Sequence, residues 1–245
     1  MELRLPAVFI FVIFFIPIPV CAQSQVEDSI FYRSAITNTI AFYYSQLGDQ
    51  SPIFNGSLYP PLPYTFKEGS PFFLSEKPML GSVVYDGIQY SDLSLRYEDF
   101  RQYLVSIDQS YQLLLINQKI RSFTIGGHQF DNVHLDSLHR GIPTAGFYEV
   151  LYAGPSRLLK STYKKSNETL SMSEGVVRVM EVIEDYYIKI GKVFGPVNTK
   201  SELLAKMKNH RKEVQRYIRK NKLNFRKDKD NTLTQTAAYF DQLPD

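Results

Sequence analysis

The sequence predicts an α+β fold: an antiparallel β meander, curved or shaped as a half-barrel, with an N-terminal helix and a basic helical segment at the C-terminus. Short apolar and aromatic runs recur about every ten residues between positions 81 and 190, which is typical of antiparallel strands joined by turns. No helical periodicity separates these runs, so alternating strand–helix units are not expected. Helical patterns occur only before and after this region.

Residues 1–22 have the regions of a secretory signal peptide. An apolar run (VFIFVIFFI) follows one cation and ends before two prolines, and small residues lead to Ala22. The run is shorter than the ~20 residues of a membrane span. We therefore expect cleavage after Ala22 and export to the periplasm, the cell envelope or the exterior. Val20 is too bulky for the position before a lipidated cysteine, which argues against a lipid anchor at Cys21.

The mature chain is expected to have two parts. Residues 23–195 are predicted to form a domain with a helix, a Pro-rich segment and the β meander. Residues 196–245 are predicted to form a basic helical tail that docks on the same domain. Cleavage would remove the only cysteine. An exported chain without disulfides must take its stability from a hydrophobic core, and this chain is long enough to build one.

Before the meander, two segments have distinct patterns. Residues 29–47 have one apolar helical stripe, and Gly48 stands where a helix C-cap uses glycine. Residues 48–80 are rich in proline and are predicted to be irregular, because proline lacks the amide donor of regular structure. The aromatic residues among these prolines indicate that the segment packs against the rest of the protein.

The clearest strand signal is a hairpin, 82–85 and 88–97, around Asp86-Gly87, since Asp-Gly suits a tight turn with two positive φ angles. Further turns are expected at Gly126-Gly127 and Gly191-Lys192. The other predicted strands are 103–107, 112–116, 119–125, 128–135, 147–152, 158–164, 176–183 and 186–190. Tail helices are predicted at 201–207, at 211–220 and from Asn231 onwards.

Several strings together resemble a family of exported proteins from Bacteroidota that has no assigned function: GSVVYDGIQYSDLSLRYED, SFTIGGHQF, GFYEVLYAG, YYIKI, EVQRYIRKNKLNFRK and YFDQL. The resemblance covers roughly residues 40–243. It implies an envelope or secreted location, a strand-rich middle and a basic helical tail, and it supplies no catalytic or ligand residues. The triplets that begin at Asp28 and Asp136 resemble the O-glycosylation pattern of such bacteria, which makes Ser29 and Ser137 candidate glycosylation sites.

A metal site is the first chemistry to consider. His128, His134 and His139 lie close together in sequence with two aspartates, and imidazole and carboxylate ligate Zn and Fe. A regular strand, however, would separate His128 from His134 by about 20 Å at ~3.3 Å per residue. Only a sharp bend would allow one metal to bind both, so we expect a turn histidine followed by a polar loop, and no cofactor.

No other catalytic constellation is evident, and the chain is not expected to be an enzyme. It has no Gly-x-Ser-x-Gly elbow, no Gly-rich phosphate loop and no His-Glu-x-x-His motif. The carboxylate pairs Glu98-Asp99 and Glu184-Asp185 are predicted to be solvated turn residues.

The basic tail is the strongest compositional feature. Residues 196–230 contain twelve Lys or Arg and four Asp or Glu. Export argues against nucleic acid as the partner and favours anionic lipids or glycans, or an envelope protein. The residues expected to bind are Arg211, Lys212, Arg216 and Arg219. The simpler alternative is a docked helix whose cations only face water.

The sequence therefore leaves three functions open. The favoured hypothesis is a non-catalytic envelope protein that binds a protein partner or an anionic envelope surface. The second is a carrier of an apolar ligand in a curved β pocket, which requires an apolar concave face that helices do not cover. The third is a metal-assisted hydrolase that uses His128, His134 and His139.

Overall fold

Residues 51–108 and 111–244 are described by a computed structural model. The predicted signal peptide, the predicted N-terminal helix at 29–47, Cys21 and Ser29 lie outside these ranges.

The described chain forms one sheet of eleven strands. Neighbouring strands all pair antiparallel. The strands are β1 (Ser57–Leu58), β2 (Met79–Tyr85), β3 (Ile88–Glu98), β4 (Tyr103–Asp108), β5 (Tyr111–Leu114), β6 (Ile120–Ile125), β7 (His128–Val133), β8 (Gly146–Tyr152), β9 (Leu158–Ser171), β10 (Gly175–Ile190) and β11 (Val193–Pro196).

The sheet consists of two meanders joined side by side. Its spatial order is β1-β5-β4-β3-β2-β6-β7-β8-β9-β10-β11, so consecutive strands are neighbours from β2 to β5 and again from β6 to β11. Between β5 and β6 the chain returns across the first meander to pair with β2. The sheet is not closed, since β1 and β11 stand at its two ends. The predicted α+β class and a meander-like antiparallel sheet are confirmed, and the meander is interrupted once, where the chain returns from β5 to β6.

The Asp-Gly hairpin is confirmed. β2 and β3 flank Asp86 and Gly87, whose φ angles are 54° and 81°. Both values are positive, as the mirror-image turns that suit the right-handed twist of paired strands require.

One predicted break is wrong. Residues 176–183 and 186–190 were expected to form two strands separated by Glu184-Asp185, but β10 runs through both. Glu184 and Asp185 pair with Thr162 and Ser161 of β9. The polar pair does not end the strand: the carboxylate of Glu184 pairs with Lys160 and that of Asp185 accepts from the side chain of Asn198.

The sheet bends strongly. The rings of Tyr97 on β3 and Phe147 on β8 have centroids 5.8 Å apart. These strands are four steps apart in the sheet order, which corresponds to about 19 Å in a flat sheet at ~4.8 Å per step. The contact therefore requires the face that carries these two rings to curve towards itself.

We call that face the inner face. It includes Phe130, Glu149, Lys160 and Tyr186, which lie opposite one another in successive ladders and so point the same way. An aromatic cluster on it joins the first meander to β6–β8, and Phe73 of the Pro-rich segment packs into this cluster. The opposite, outer face has a smaller core that includes Tyr148, Leu159 and Tyr187.

Three helices cover the other half of the inner face. They are α1 (Lys200–Lys206), α2 (Arg211–Lys220) and α3 (Lys229–Phe240). Their buried side chains form one cluster with Leu158, Tyr186 and Ile188 of the sheet. The predicted helix at 211–220 has the bounds expected from the sequence. The last helix begins two residues before Asn231, because Asp228 is its N-cap and accepts from the backbone N–H of Asn231.

Candidate functional site

The helical tail is held in place by local signals and by apolar packing. A capping box fixes the start of α1: the hydroxyl of Thr199 accepts from the N–H of Glu202, and the Glu202 carboxylate accepts from the N–H of Thr199. On α2, Val214 is 0% exposed and Ile218 is 2% exposed. The ring of Tyr217 stacks on Tyr239 of α3 at 4.0 Å. The apolar side of α2 therefore faces the protein's own core.

The four predicted binding residues, Arg211, Lys212, Arg216 and Arg219, are all exposed on α2. Lys212, Arg216 and Arg219 follow one another at spacings of four and three, so they share one side of the helix. Further exposed cations adjoin them in the tail: Lys206, Lys208, Lys220, Lys222, Arg226 and Lys227. The predicted residues thus belong to a set of exposed cations between Lys206 and Lys227, which we call the tail surface.

The cations of the tail surface form no ion pair with a carboxylate in residues 51–108 and 111–244. Within the described residues, no ion pair involves Arg211, Lys212, Arg216 or Arg219. Arg219 donates from Nε to the backbone oxygen of Gln215 at 3.4 Å. Like charges one turn apart destabilise a helix by about 0.2–0.5 kcal/mol per pair. The arrangement is therefore electrostatically unfavourable for the isolated protein, although cations near the C-terminal end suit the helix dipole.

The three histidines of the suspected metal site do not come together. His128 lies on the inner face, where its Nδ1 is 2.5 Å from Oε1 of the buried Glu149 and its ring meets Phe73 edge-on. His134 and His139 lie beyond the end of β7, and Nδ1 of His139 is 2.9 Å from Asp136. No group of three metal-ligating side chains forms within residues 51–108 and 111–244. β7 is a regular strand, so the bend that the site needs does not occur.

The acidic pair Glu98-Asp99 is buried, not solvated as predicted. Glu98 is 0% exposed and accepts from the hydroxyl of Tyr59 at 2.6 Å and from two guanidinium nitrogens of Arg101 at 2.6 and 2.7 Å. Burial and then the hydrogen bond to Glu98 raise the pKa of Tyr59 to about 12. Glu98 thus ties the Pro-rich segment to the end of β3.

The carboxylate of Asp99 has fewer polar partners than that of Glu98. Its Oδ1 lies 3.0 Å from Nζ of Lys164 on β9, but the Lys164 hydrogen bonds go to the backbone oxygens of Ser70 and Phe72. Burial raises the pKa of Asp99 to about 6 despite the nearby ammonium group. No local pattern predicts this pairing, because β3, which ends just before Asp99, and β9 are five steps apart in the sheet.

Glu184, from the second pair that was predicted to be a turn, contributes to a polar network beneath α3. Nζ of Lys160 lies 2.8 Å from both Glu184 and Asp230, and the hydroxyl of Tyr186 donates to Asp230 at 2.5 Å. Burial alone lowers the pKa of Lys160, but the hydrogen bonds to Asp230 and Glu184 outweigh it and leave this pKa raised. The network joins the sheet to the tail on the same face as the aromatic cluster.

Comparison with known proteins gives no further guidance: no protein family, no curated protein and no solved structure matches the chain. Among residues 51–108 and 111–244, no helix has the length and apolar character needed to cross a membrane.

Proposed function

We propose that this chain is a non-catalytic exported envelope protein that binds an anionic envelope surface through its tail. The observation that carries the proposal is the tail surface itself, whose exposed cations have no carboxylate partners among the described residues. Free cations contribute binding energy to an external polyanion without first having to break an internal pair. Export, predicted from residues 1–22, makes lipid head groups and acidic glycans the available polyanions.

The manner of contact follows from the docking of α2. Since Val214 and Ile218 are buried against the protein's own core, the helix has no apolar side to insert between lipids. Binding is therefore electrostatic and peripheral. Each Lys or Arg near an anionic surface contributes about 1 kcal/mol, and salt weakens such contacts because counterions screen them.

The carrier hypothesis has less support. We propose that the sheet is a half-barrel with the inner face as its concave side, on the basis of the Tyr97–Phe147 contact. A carrier needs that face open, but an aromatic cluster fills one part of it and α1–α3 cover another. The hydrolase hypothesis needs three convergent histidines, and His128 lies apart from His134 and His139.

The test is retention of the full-length protein on washed envelopes. The test variant changes Arg211, Lys212, Arg216 and Arg219 to Gln. A control variant changes four other exposed cations that also have no ion pair among the described residues: Lys77, Arg140, Lys165 and Lys192. Both variants lose four positive charges, so only the position of the charges differs.

We expect the tail variant to lose at least tenfold in retention and the control to lose less than twofold, since about 1 kcal/mol per cation accumulates only at the bound surface. Equal retention of the two variants and the unchanged protein would contradict the proposal. Protease treatment of the envelopes beforehand separates the two partners: loss of binding after treatment would identify a protein partner in place of the anionic surface.

A further inference from the structure

A cavity of about 700 Å³ opens on the outer face of the sheet, away from the tail surface. We call it the outer groove. Ser122 of β6 and Asp131 of β7, which lie opposite each other in the ladder, form part of its floor. The loop with His134 and His139 bounds one side, and Lys189 of β10 and Phe194 of β11 contribute to the other.

The charges in the outer groove are unevenly matched. Both carboxylates are occupied: Asp131 pairs with Arg157, and Asp136 pairs with His139 at 2.9 Å and caps a short 3-10 helix. The cations Arg121 and Lys189, in contrast, have no carboxylate partner within the described residues. Lys189 Nζ lies 5.7 Å from the ring centroid of Phe194.

The rest of the lining is suited to hydroxyl groups. Gln118, Ser122 and Gln129 line the groove, and in the described part of the chain no side-chain hydrogen bond is formed by any of them. Primary amides present both donors and acceptors. Phe194 is only 4% exposed, so it presents little ring surface on which a base or other flat ring could stack.

The volume excludes the smallest anions as well-fitted ligands. Pockets for small organic ligands span roughly 300–1,000 Å³, and the outer groove lies in this range. Cations without carboxylate partners and amides without side-chain hydrogen bonds, both judged among the described residues, together match a ligand that is both acidic and rich in hydroxyls.

We propose that the outer groove binds a short acidic saccharide that contains uronic acid units. The planar carboxylate of a uronate pairs with the Arg121 guanidinium, which offers two parallel N–H donors, and a second carboxylate binds the Lys189 ammonium group. Gln118 and Gln129 bind ring hydroxyls. This site is separate from the tail surface and does not depend on the function proposed for it.

Calorimetric titration of the purified mature protein tests the site, with trigalacturonate as the acidic probe and maltotriose as the neutral probe of equal length. The test variant is Arg121→Gln with Lys189→Gln. The matched control is Lys77→Gln with Lys165→Gln, which removes the same charge from exposed residues outside the groove. Circular dichroism confirms that each variant is folded.

We expect trigalacturonate to bind at one molecule per chain and maltotriose at least tenfold more weakly. The groove variant should weaken trigalacturonate binding at least tenfold, because each lost charge-assisted hydrogen bond contributes more than a neutral one, and the control less than twofold. Absence of trigalacturonate binding, or binding that the groove variant leaves unchanged, would overturn the proposal. So would loss of binding in the variant with four tail cations changed, since the ligand would then bind the tail.

Discussion

The cations that precede the tail and the cations of the tail have different surroundings in this protein. Many of the cations in residues 51–199 are ion-paired: Lys67, Arg101, Lys119, Arg157, Lys160, Lys164 and Arg178. In the described residues from 200 to 229, no Lys or Arg forms an ion pair.

This difference separates two uses of charge in one chain. Lys160 and Lys164 pair with carboxylates that are distant in the chain, and Arg101 pairs with the nearby Glu98 and donates to the backbone oxygen of Pro60; all three side chains are mostly shielded from water. The tail cations are exposed and contribute repulsion among themselves. Charges of the first kind should affect stability when they are changed, and charges of the second kind should affect binding.

Glu98→Gln should have the largest effect. The substitution keeps the shape but removes the charge that accepts from Tyr59 and twice from Arg101. Breaking a buried pair typically costs about 3–5 kcal/mol, so we expect a loss of that size in the free energy of unfolding, measured by urea denaturation. Arg216→Gln serves as control and should change it by less than about 0.5 kcal/mol. Equal changes in the free energy of unfolding for the two substitutions would contradict the distinction between charges that stabilise the fold and charges that serve binding.

Asp99 should make the stability of the fold depend on pH. Its pKa is raised from 3.8 to about 6 in the folded protein, so the folded state holds this proton more tightly than the unfolded state. The contribution to stability is complete below pH 4 and is lost as the pH rises through 6, by about 3 kcal/mol in total.

The measurement is the free energy of unfolding at pH 4 and pH 7, compared between the unchanged protein and Asp99→Asn. The change in stability between the two pH values is determined for each protein, and the value for the variant is subtracted from that for the unchanged protein. The result is the contribution of Asp99 without that of the other titrating groups. We expect the variant to lose this part of the decline with pH. The same decline in both proteins would show that Asp99 titrates normally.

Lys160→Met should have a smaller effect. The substitution leaves Glu184 and Asp230 without their shared ammonium group, but these carboxylates are 40% and 42% exposed and regain water. We expect a loss of about 2 kcal/mol, below the range for a fully buried pair. Urea denaturation gives the magnitude, and proteolysis within the tail reports whether α3 has loosened. A variant as stable as the unchanged protein would show that apolar packing alone holds α3.

The four tail substitutions to Gln should have the smallest effect on stability. Arg211, Lys212, Arg216 and Arg219 make no ion pair among the described residues, so their loss breaks none and relieves repulsion along α2. We expect the free energy of unfolding to change by less than about 1 kcal/mol, or to rise. A loss comparable with that of Glu98→Gln would mean that these residues hold the fold together.

Local patterns in the sequence predicted the parts of the fold that depend on neighbouring residues. The Asp86-Gly87 hairpin and the helix Arg211–Lys220 are both confirmed. The hairpin follows from the preference of Asp-Gly for a tight turn. The helix follows from the spacing of the apolar residues Val214 and Ile218, which are buried.

What the sequence did not reveal depends on residues far apart in the chain. The sequence around Glu98-Asp99 is typical of a solvated turn, but Tyr59 and Lys164, which are distant in the chain, contact this pair. The return of β6 to β2, which makes the sheet two meanders, has no local signal. The composition of the tail revealed its cations, but only the positions of the described carboxylates showed that none of them pairs with a tail cation.

The central claim is that the tail cations are free for an external anionic surface, and vesicle binding tests it most directly. Purified mature protein is sedimented with vesicles of neutral lipid alone and with vesicles that contain 30% anionic lipid, at low and at physiological salt. We predict binding only to anionic vesicles, weaker at higher salt, and at least tenfold weaker in the variant with Arg211, Lys212, Arg216 and Arg219 changed to Gln. Anionic-vesicle binding that this variant retains in full, or its absence in the unchanged protein, would contradict the account.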